Sequence, residues 1–220
     1  SIPKASVNGQ EIVNTVQAGA DNAAAVKASA KVWINSPVLK VVKETEKPFY
    51  KYGDIITYRV KITQEQTGCV ARNVTLSDII DTPGVTLQKD SIVLMDDTGT
   101  VVQAGLDVKD DNSFLVSTGR NLIKDSNYSI FDLNRGGLTE QVTYNPVDFR
   151  NQKYMVVEYQ AAVTDKNLAG KTVHNTATAD SQEKIPVSSE TETEIHSPVL
   201  EIVKECDRKE YESGDTGYYK

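Results

Sequence analysis

The sequence predicts an all-β sandwich domain that is repeated in tandem, and three observations lead to this prediction. A stretch of sequence recurs at a fixed, domain-sized offset. Short runs of alternating apolar and polar residues, rich in β-branched side chains, follow one another along the chain. Turn-forming pairs such as Gly-Asp and Pro-Gly separate these runs. Short alternating strands at regular spacing with turn signals between them are typical of sandwiches.

The internal repeat sets the expected domain organisation. Residues 36–39 (SPVL) return as 197–200, which is 161 positions later, and the match runs without a gap to Tyr58 and Tyr219. A period of this length is a whole domain and not the unit of a thin solenoid. We therefore expect the C-terminal remnant of a preceding repeat plus a linker at 1–35, a complete repeat at 36–196, and the first strands of a following repeat at 197–220.

Within the complete repeat, strands are predicted wherever apolar and polar residues alternate. The residues from 183 to 196 are polar and are predicted to form a closing edge strand that leads into the next repeat. Such runs fit a pleated, half-buried surface. Seven further runs alternate in the same way: 38–43, 54–63, 73–80, 91–95, 113–117, 154–164 and 171–179.

Two segments depart from this pattern. The Ala-rich residues 18–30 fall on a strand end and linker in the repeat register, with a helix as the alternative. The region 124–152 is predicted to be an insertion or long hairpin at one end of the sandwich, where ligand contacts are common. Its aromatic residues are Tyr128, Phe131, Tyr144 and Phe149.

Charge and composition exclude several classes of function. The net charge is −7 with both signs mixed along the chain, which argues against nucleic-acid binding. No stretch has the apolar length of a membrane span, so no membrane insertion is expected in this fragment. Its two cysteines, Cys69 and Cys206, do not correspond in the repeat register and are expected to be free thiols. The acidic turns lack the spacing of a calcium loop and the histidines are isolated, so we expect no metal and no cofactor.

Strand alternation places polar residues on faces that are otherwise apolar. Lys43 shares a face with two aliphatic residues, and Lys204 occupies the same position in the next repeat. Asn175 lies on the inward face of a late strand, with Asn14 as its earlier copy. Asp78 falls in the apolar layer of a third strand. Such burial costs several kcal/mol (roughly) unless the groups are paired or neutral.

Three explanations fit these inward polar residues. Lys43 and Asp78 could form a buried salt bridge with Asn175 as a hydrogen-bonding filler, or Lys43 could extend its amine to water at the strand end. The third explanation is covalent. Burial favours the neutral lysine amine and the protonated aspartate. A nucleophilic amine held against the Asn175 carboxamide would form an amide and release ammonia.

Four segments of the sequence resemble those of a known family. The segments PVLKVVKE, YKYGDIITYRVKIT, ARNVTLSDIIDTPGV and LAGKTVHNTATAD are similar to the repeated immunoglobulin-like domains of isopeptide-forming fimbrial and adhesin proteins on Gram-positive surfaces. The resemblance implies an immunoglobulin-like sandwich in which Lys43 forms the crosslink with Asn175. Asp78 matches the catalytic acid, and Glu158 on a central strand is its rival. Neither Asn14 nor Lys204 can complete its own bond in this chain.

The resemblance also implies a function. It indicates a structural stalk or shaft module of a bacterial cell-surface adhesin or pilus, extracellular and part of a wall-anchored parent protein, with single-turnover self-crosslinking and no enzyme activity. The expected partners are neighbouring repeats and a host glycan or protein. The alternative is an adhesive module that binds ligand through the 124–152 insertion. We also expect the end segments to pair with another molecule or with edges of the complete domain.

Overall fold

A computed structural model describes residues 9–124, 127–132, 138–143, 151–198 and 200–220, with side chains described outside 127–132 and 138–143. Regular structure in these residues consists of β-strands and a 3-10 turn at Lys166–Leu168. In the described ranges, no helix has the length and apolar character needed to span a membrane.

Two mostly antiparallel sheets face each other in a sandwich. The six-stranded sheet contains, in spatial order, β10 (Gly105–Val108), β11 (Ser113–Ser117), β7 (Thr75–Ile80), β17 (Thr172–Asp180), β18 (Val187–Ile195) and β4 (Phe49–Tyr50). The five-stranded sheet contains β3 (Leu39–Thr45), β5 (Ile55–Gln64), β16 (Tyr154–Val163), β8 (Val85–Met95) and β9 (Val101–Val102). The predicted all-β sandwich is confirmed.

Smaller pairings complete the described structure. A three-stranded sheet is formed by β15 (Asn151–Gln152), β12 (Asn121–Ile123) and β6 (Val70–Ala71). Two separate hairpins are formed by β1 (Gln10–Ala20) with β2 (Ala23–Ile34), and by β13 (Asn127–Asp132) with β14 (Leu138–Thr143).

The core lies between the two large sheets because alternate side chains of their strands point inward. In β5 the residues Ile56, Tyr58, Val60 and Ile62 are fully buried, while their neighbours are more exposed. β16 shows the same alternation against it, in antiparallel register. Burial of apolar area of this kind is the main stabilising contribution to a sandwich.

All seven predicted runs lie on strands, with 91–95 forming the end of the longer β8. β18 is a strand as predicted for 183–196, but the expectation that it is the outermost strand is wrong. The two residues of β4 pair in parallel with Glu194 and Ile195 and cover its end. The hairpin predicted within 124–152 is present as β13 and β14. Tyr144 and Phe149, and the side chains of Tyr128 and Phe131, lie outside the described residues.

The Ala-rich segment 18–30 is part of the β1–β2 hairpin. A strand end was expected there and is present, but the expected linker is instead the first eight residues of β2, and the helical alternative is wrong. Antiparallel pairing across the turn at residues 21–22 satisfies the backbone groups of both strands, which overrides the helical propensity of alanine.

This hairpin has the same register as β17 and β18. Asn14 faces Ala30 in β1–β2, and Asn175 faces Thr191 in β17–β18, so both partners shift by the repeat offset. The hairpin pairs with itself as a separate two-stranded sheet, so the expectation that it joins an edge of the complete domain is wrong. Pairing with another molecule stays a prediction.

One pairing in the C-terminal segment corresponds to a pairing within residues 36–196. Cys206 forms a bridge with Tyr219, which corresponds to the pairing of Thr45 with Tyr58 on β3 and β5. Backbone hydrogen bonds join Glu205 and Lys220 in both directions, at 3.1 and 3.0 Å. Cys206 and Cys69 are free thiols, as expected.

Candidate functional site

Lys43 lies on the inward face of β3. Leu39 and Lys43 are buried on this strand, while Lys40, Val42 and Glu44 on its other face are exposed, as the alternation predicted. The Lys43 side chain is fully withdrawn from solvent. The explanation in which its amine reaches water at the strand end is therefore wrong.

Asp78 and Asn175 share one face of the opposite sheet. β7 and β17 are neighbours, and Asp78 lies directly across from Ala177, two residues from Asn175. Such diagonal neighbours are within reach of each other on a sheet, and the small Ala177 leaves room between them. Asp78 is 2 % exposed and Asn175 is completely buried. The two sheets thus bring the predicted lysine, aspartate and asparagine to one interior position.

Tyr159 connects the three predicted residues, and the sequence analysis missed it. It lies on β16 directly across from Tyr58 of β5 and is 1 % exposed. Its position on the inward face of its strand, next to the rival acid Glu158, was the feature of the sequence that could have identified it. A buried tyrosine requires a hydrogen-bond partner for its hydroxyl.

The polar atoms form a closed hydrogen-bonded cluster. The Lys43 Nζ donates to Asp78 Oδ2 at 2.5 Å and to the Tyr159 hydroxyl at 2.8 Å. The Tyr159 hydroxyl donates to Asp78 Oδ1 at 2.7 Å. It also accepts from Asn175 Nδ2 at 2.8 Å. The amine of Lys43 and the carboxamide of Asn175 are therefore both hydrogen-bonded to one oxygen atom.

Aromatic rings enclose this cluster. The rings of Tyr58 and Tyr159 stack with centroids 5.2 Å apart, and Phe114 meets Tyr159 edge-on at 4.8 Å. The Lys43 Nζ lies 5.2 Å from the centroid of the Tyr58 ring. The rings exclude water, which strengthens electrostatic interactions and raises the cost of any unpaired charge.

Burial shifts the pKa values of both ionisable partners toward their neutral forms. Desolvation lowers the pKa of Lys43 from 10.5 to about 8, although the attraction of Asp78 opposes the shift. Desolvation raises the pKa of Asp78, opposed by Lys43 and by the hydrogen bond from Tyr159. Both directions favour transfer of a proton from the amine to the carboxylate. A neutral amine is the nucleophilic form of lysine.

Glu158, the rival acid, lies on the other face of β16. Its carboxylate pairs with the Arg59 guanidinium at 2.9 Å on the surface, and its side chain is 33 % exposed. Because successive residues of a strand point to opposite faces, Glu158 cannot share the interior with Tyr159. The arrangement favours Asp78 as the acid.

The equivalent positions in the end segments have only part of these surroundings. Asn14 lies exposed on β1. Lys204 is exposed, but its Nζ lies 4.3 Å from the ring centroid of Tyr219. That contact repeats the one between Lys43 and Tyr58 in the complete domain. No group of three or more His, Cys, Asp or Glu side chains suited to a metal occurs in the described part of the chain.

The lowered pKa of Lys43 predicts a pH dependence for a chain that cannot crosslink. In an Asn175→Ala variant the folded state releases the Lys43 proton near pH 8, whereas the unfolded state holds it up to about pH 10.5. Between these values the unfolded state binds more protons, so stability rises with pH, by up to about 3 kcal/mol. Thermal unfolding across this range measures the effect.

The matched control is the double variant Lys43→Met/Asn175→Ala, which lacks the titrating amine. Surface groups titrate equally in both chains, so the difference between the two profiles reports on Lys43 and its partner Asp78. Parallel profiles would contradict the lowered pKa.

No protein-family model and no curated protein sequence matches the chain. Solved structures do resemble it. The major pilin SpaD of Corynebacterium diphtheriae aligns with 70% of this chain and 33% of its own, at 12% identity and a TM-score of 0.43. The pilus backbone protein RrgB of Streptococcus pneumoniae aligns with 65% of this chain and 31% of its own, at 14% identity and a TM-score of 0.43.

An adhesin domain is similar as well. ACE19, the collagen-binding subdomain of the Enterococcus faecalis surface protein ACE, aligns with 69% of this chain and 97% of its own, at 13% identity and a TM-score of 0.38. The chain spans about a third of the length of the two pilins. At this level of identity the similarity concerns the fold alone and does not bear on the roles of Lys43, Asp78 or Asn175.

Proposed function

We propose that this chain is a structural shaft module of a bacterial cell-surface adhesin or pilus, stabilised by an autocatalytic isopeptide bond between Lys43 and Asn175. Asp78 assists as the acid. The bond forms once per domain and acts on no external substrate, so the module is not an enzyme. The proposal places the parent protein outside the cell, anchored to the wall, with neighbouring repeats as its partners.

The observation that supports the crosslink most strongly is the shared contact of both reacting groups with Tyr159. The Lys43 amine and the Asn175 carboxamide approach one hydroxyl from different sheets, each at 2.8 Å, in an interior that excludes water. Holding two reactants in place replaces an encounter in solution by a step within one molecule. A buried salt bridge with Asn175 as a hydrogen-bonding filler is the competing explanation, and it predicts a chain at its full sequence mass.

The carbonyl oxygen of Asn175 gives further support. Asn175 Oδ1 and the Tyr58 hydroxyl are two of the five buried side-chain polar atoms that have no hydrogen-bond partner among the described residues. A native structure pairs most of its buried polar atoms, so an unpaired one calls for an explanation. The proposal supplies one, since the carboxamide is positioned for reaction rather than for the best hydrogen bonding.

The shaft role is supported by the repeated pairing registers. The β1–β2 hairpin and the C-terminal segment match pieces of the complete domain at the repeat offset. A chain of such domains, each closed by its own amide between two strands, would resist both unfolding and tension. It would need no disulfides, which agrees with the two free cysteines.

Intact mass spectrometry tests the crosslink. The wild-type chain is expected to weigh less than its sequence mass by one ammonia, whereas Lys43→Met and Asn175→Ala are expected at their full sequence masses. Because asparagine can also lose ammonia by cyclising alone, a tryptic digest must contain a branched peptide joining Lys43 to Asn175. A wild-type chain at full mass would refute the proposal.

A further inference from the structure

Tyr159 has a place in the cluster that a purely structural hydrogen bond would not require. Its hydroxyl touches all three residues of the proposed reaction, donating one hydrogen bond and accepting two. A phenol has one donor and two acceptor positions, so this hydroxyl is fully occupied. Each of its three partners gives up or receives a proton during amide formation.

The two oxygens of Asp78 have different partners. Oδ2 contacts the Lys43 amine at 2.5 Å, and Oδ1 accepts from the Tyr159 hydroxyl at 2.7 Å. On the far side of that hydroxyl lies Asn175 Nδ2, the nitrogen that must leave as ammonia. A continuous line of hydrogen bonds therefore runs from the attacking nitrogen, through the carboxyl group and the phenol, to the leaving nitrogen.

We propose that Tyr159 is a catalytic residue of the crosslinking reaction and carries the proton from Asp78 to the departing nitrogen of Asn175. This inference rests on the proposed function. The proposed function provides an acid but no path from it to the leaving group, and Tyr159 supplies that path.

The protons balance along this path. Lys43 starts as a neutral amine and Asp78 as a carboxylic acid. The amine attacks the Asn175 side-chain carbon, the second carbon–oxygen bond opens to leave a negative charge on Asn175 Oδ1, and the new carbon–nitrogen bond leaves one excess proton on Nζ. Asp78 Oδ2 takes that proton while Asp78 Oδ1 releases its own to Tyr159, which passes its hydroxyl proton to Nδ2. Both hydrogen bonds of the phenol reverse for this step, since in the resting structure the hydroxyl donates to Asp78 and Nδ2 donates to the hydroxyl. The charge on Asn175 Oδ1 re-forms the carbonyl as the carbon–Nδ2 bond breaks, ammonia leaves, and both Asp78 and Tyr159 return to their starting protonation states.

Burial supports a relay rather than an ionised phenol. Desolvation and the nearby Asp78 carboxyl raise the pKa of Tyr159 well above its ordinary value. A phenolate is therefore disfavoured, and the hydroxyl can only give a proton while it receives another. General acid catalysis by a positioned group contributes about 10²- to 10⁴-fold to a rate.

The test compares Tyr159→Phe with Tyr50→Phe in the full chain. Tyr50 is also buried, and its hydroxyl accepts a hydrogen bond from the Lys47 backbone N–H at 3.1 Å. Each variant thus loses one buried, bonded hydroxyl, but only Tyr159 contacts the reacting atoms. Crosslinking is followed by intact mass during cell-free synthesis. We expect Tyr159→Phe to form the bond at least about tenfold more slowly than wild type, and Tyr50→Phe to match wild type.

The outcomes separate the two proposals. A wild-type chain that never loses ammonia refutes the proposed function. A crosslinked wild type with an equally fast, folded Tyr159→Phe overturns the relay alone. If Tyr159→Phe does not fold, by near-UV circular dichroism, 3,5-difluorotyrosine at position 159 decides. It keeps the ring and hydroxyl but has a more acidic phenol, so the pH profile of the rate is expected to shift. An unchanged profile overturns the relay.

Discussion

Replacing Asp78 with asparagine is expected to abolish the crosslink and to destabilise the uncrosslinked fold by about 3–5 kcal/mol. The amide has nearly the shape of the carboxyl group but cannot take the Lys43 proton on one atom while releasing its own from the other. The Lys43 amine, which contacts Asp78 at 2.5 Å, would then be buried without its counter-charge. Intact mass measures the first effect and denaturant unfolding the second, with the uncrosslinked Asn175→Ala chain as the reference.

Glu158→Gln is the matched control for the acid. It removes an exposed carboxylate whose pairing with Arg59 at the surface contributes about 0–1 kcal/mol. We expect this variant to lose one ammonia like wild type and to keep its stability. Loss of the crosslink in Glu158→Gln, or its persistence in Asp78→Asn, would contradict the assignment of Asp78 as the acid.

When the domain is stretched from its ends, Lys43→Met is expected to release a much greater length of chain than wild type. An amide from β3 to β17 would carry the force past residues 44–174, which would stay folded. Without the bond these residues extend, adding on the order of 400 Å of chain. Single-molecule force spectroscopy on tandem copies measures the released length.

The proposed amide would not relieve β18 of tension. This strand follows Asn175 in the chain and connects to the next repeat, so tension would still act on its pairing with β17. We expect wild type to show a short extension, of roughly 70 Å at most, as the residues after Asn175 are pulled free. Release of the full domain length in wild type would contradict a force-bearing amide.

Much of the fold was predictable from sequence because alternation is a local property. The runs at 54–63 and 154–164 became β5 and β16 almost residue for residue. The same alternation placed Lys43, Asp78 and Asn175 on inward faces, and all three are buried. Local pattern was weaker at residues 18–30, where alanine fits helix and strand alike and the pairing of β1 with β2 decided the outcome.

The cluster itself required the tertiary structure. A period of two tells which side chains share a face, but it does not tell which strands lie side by side or which faces meet across the core. Tyr159 stands 116 residues from Lys43 in the chain and joins it only because β16 and β3 both flank β5. The sequence by itself determined that Lys43, Asp78 and Asn175 would be buried. The packing of two sheets decided that they would meet, because long-range strand order is set by the whole core and not by any one segment.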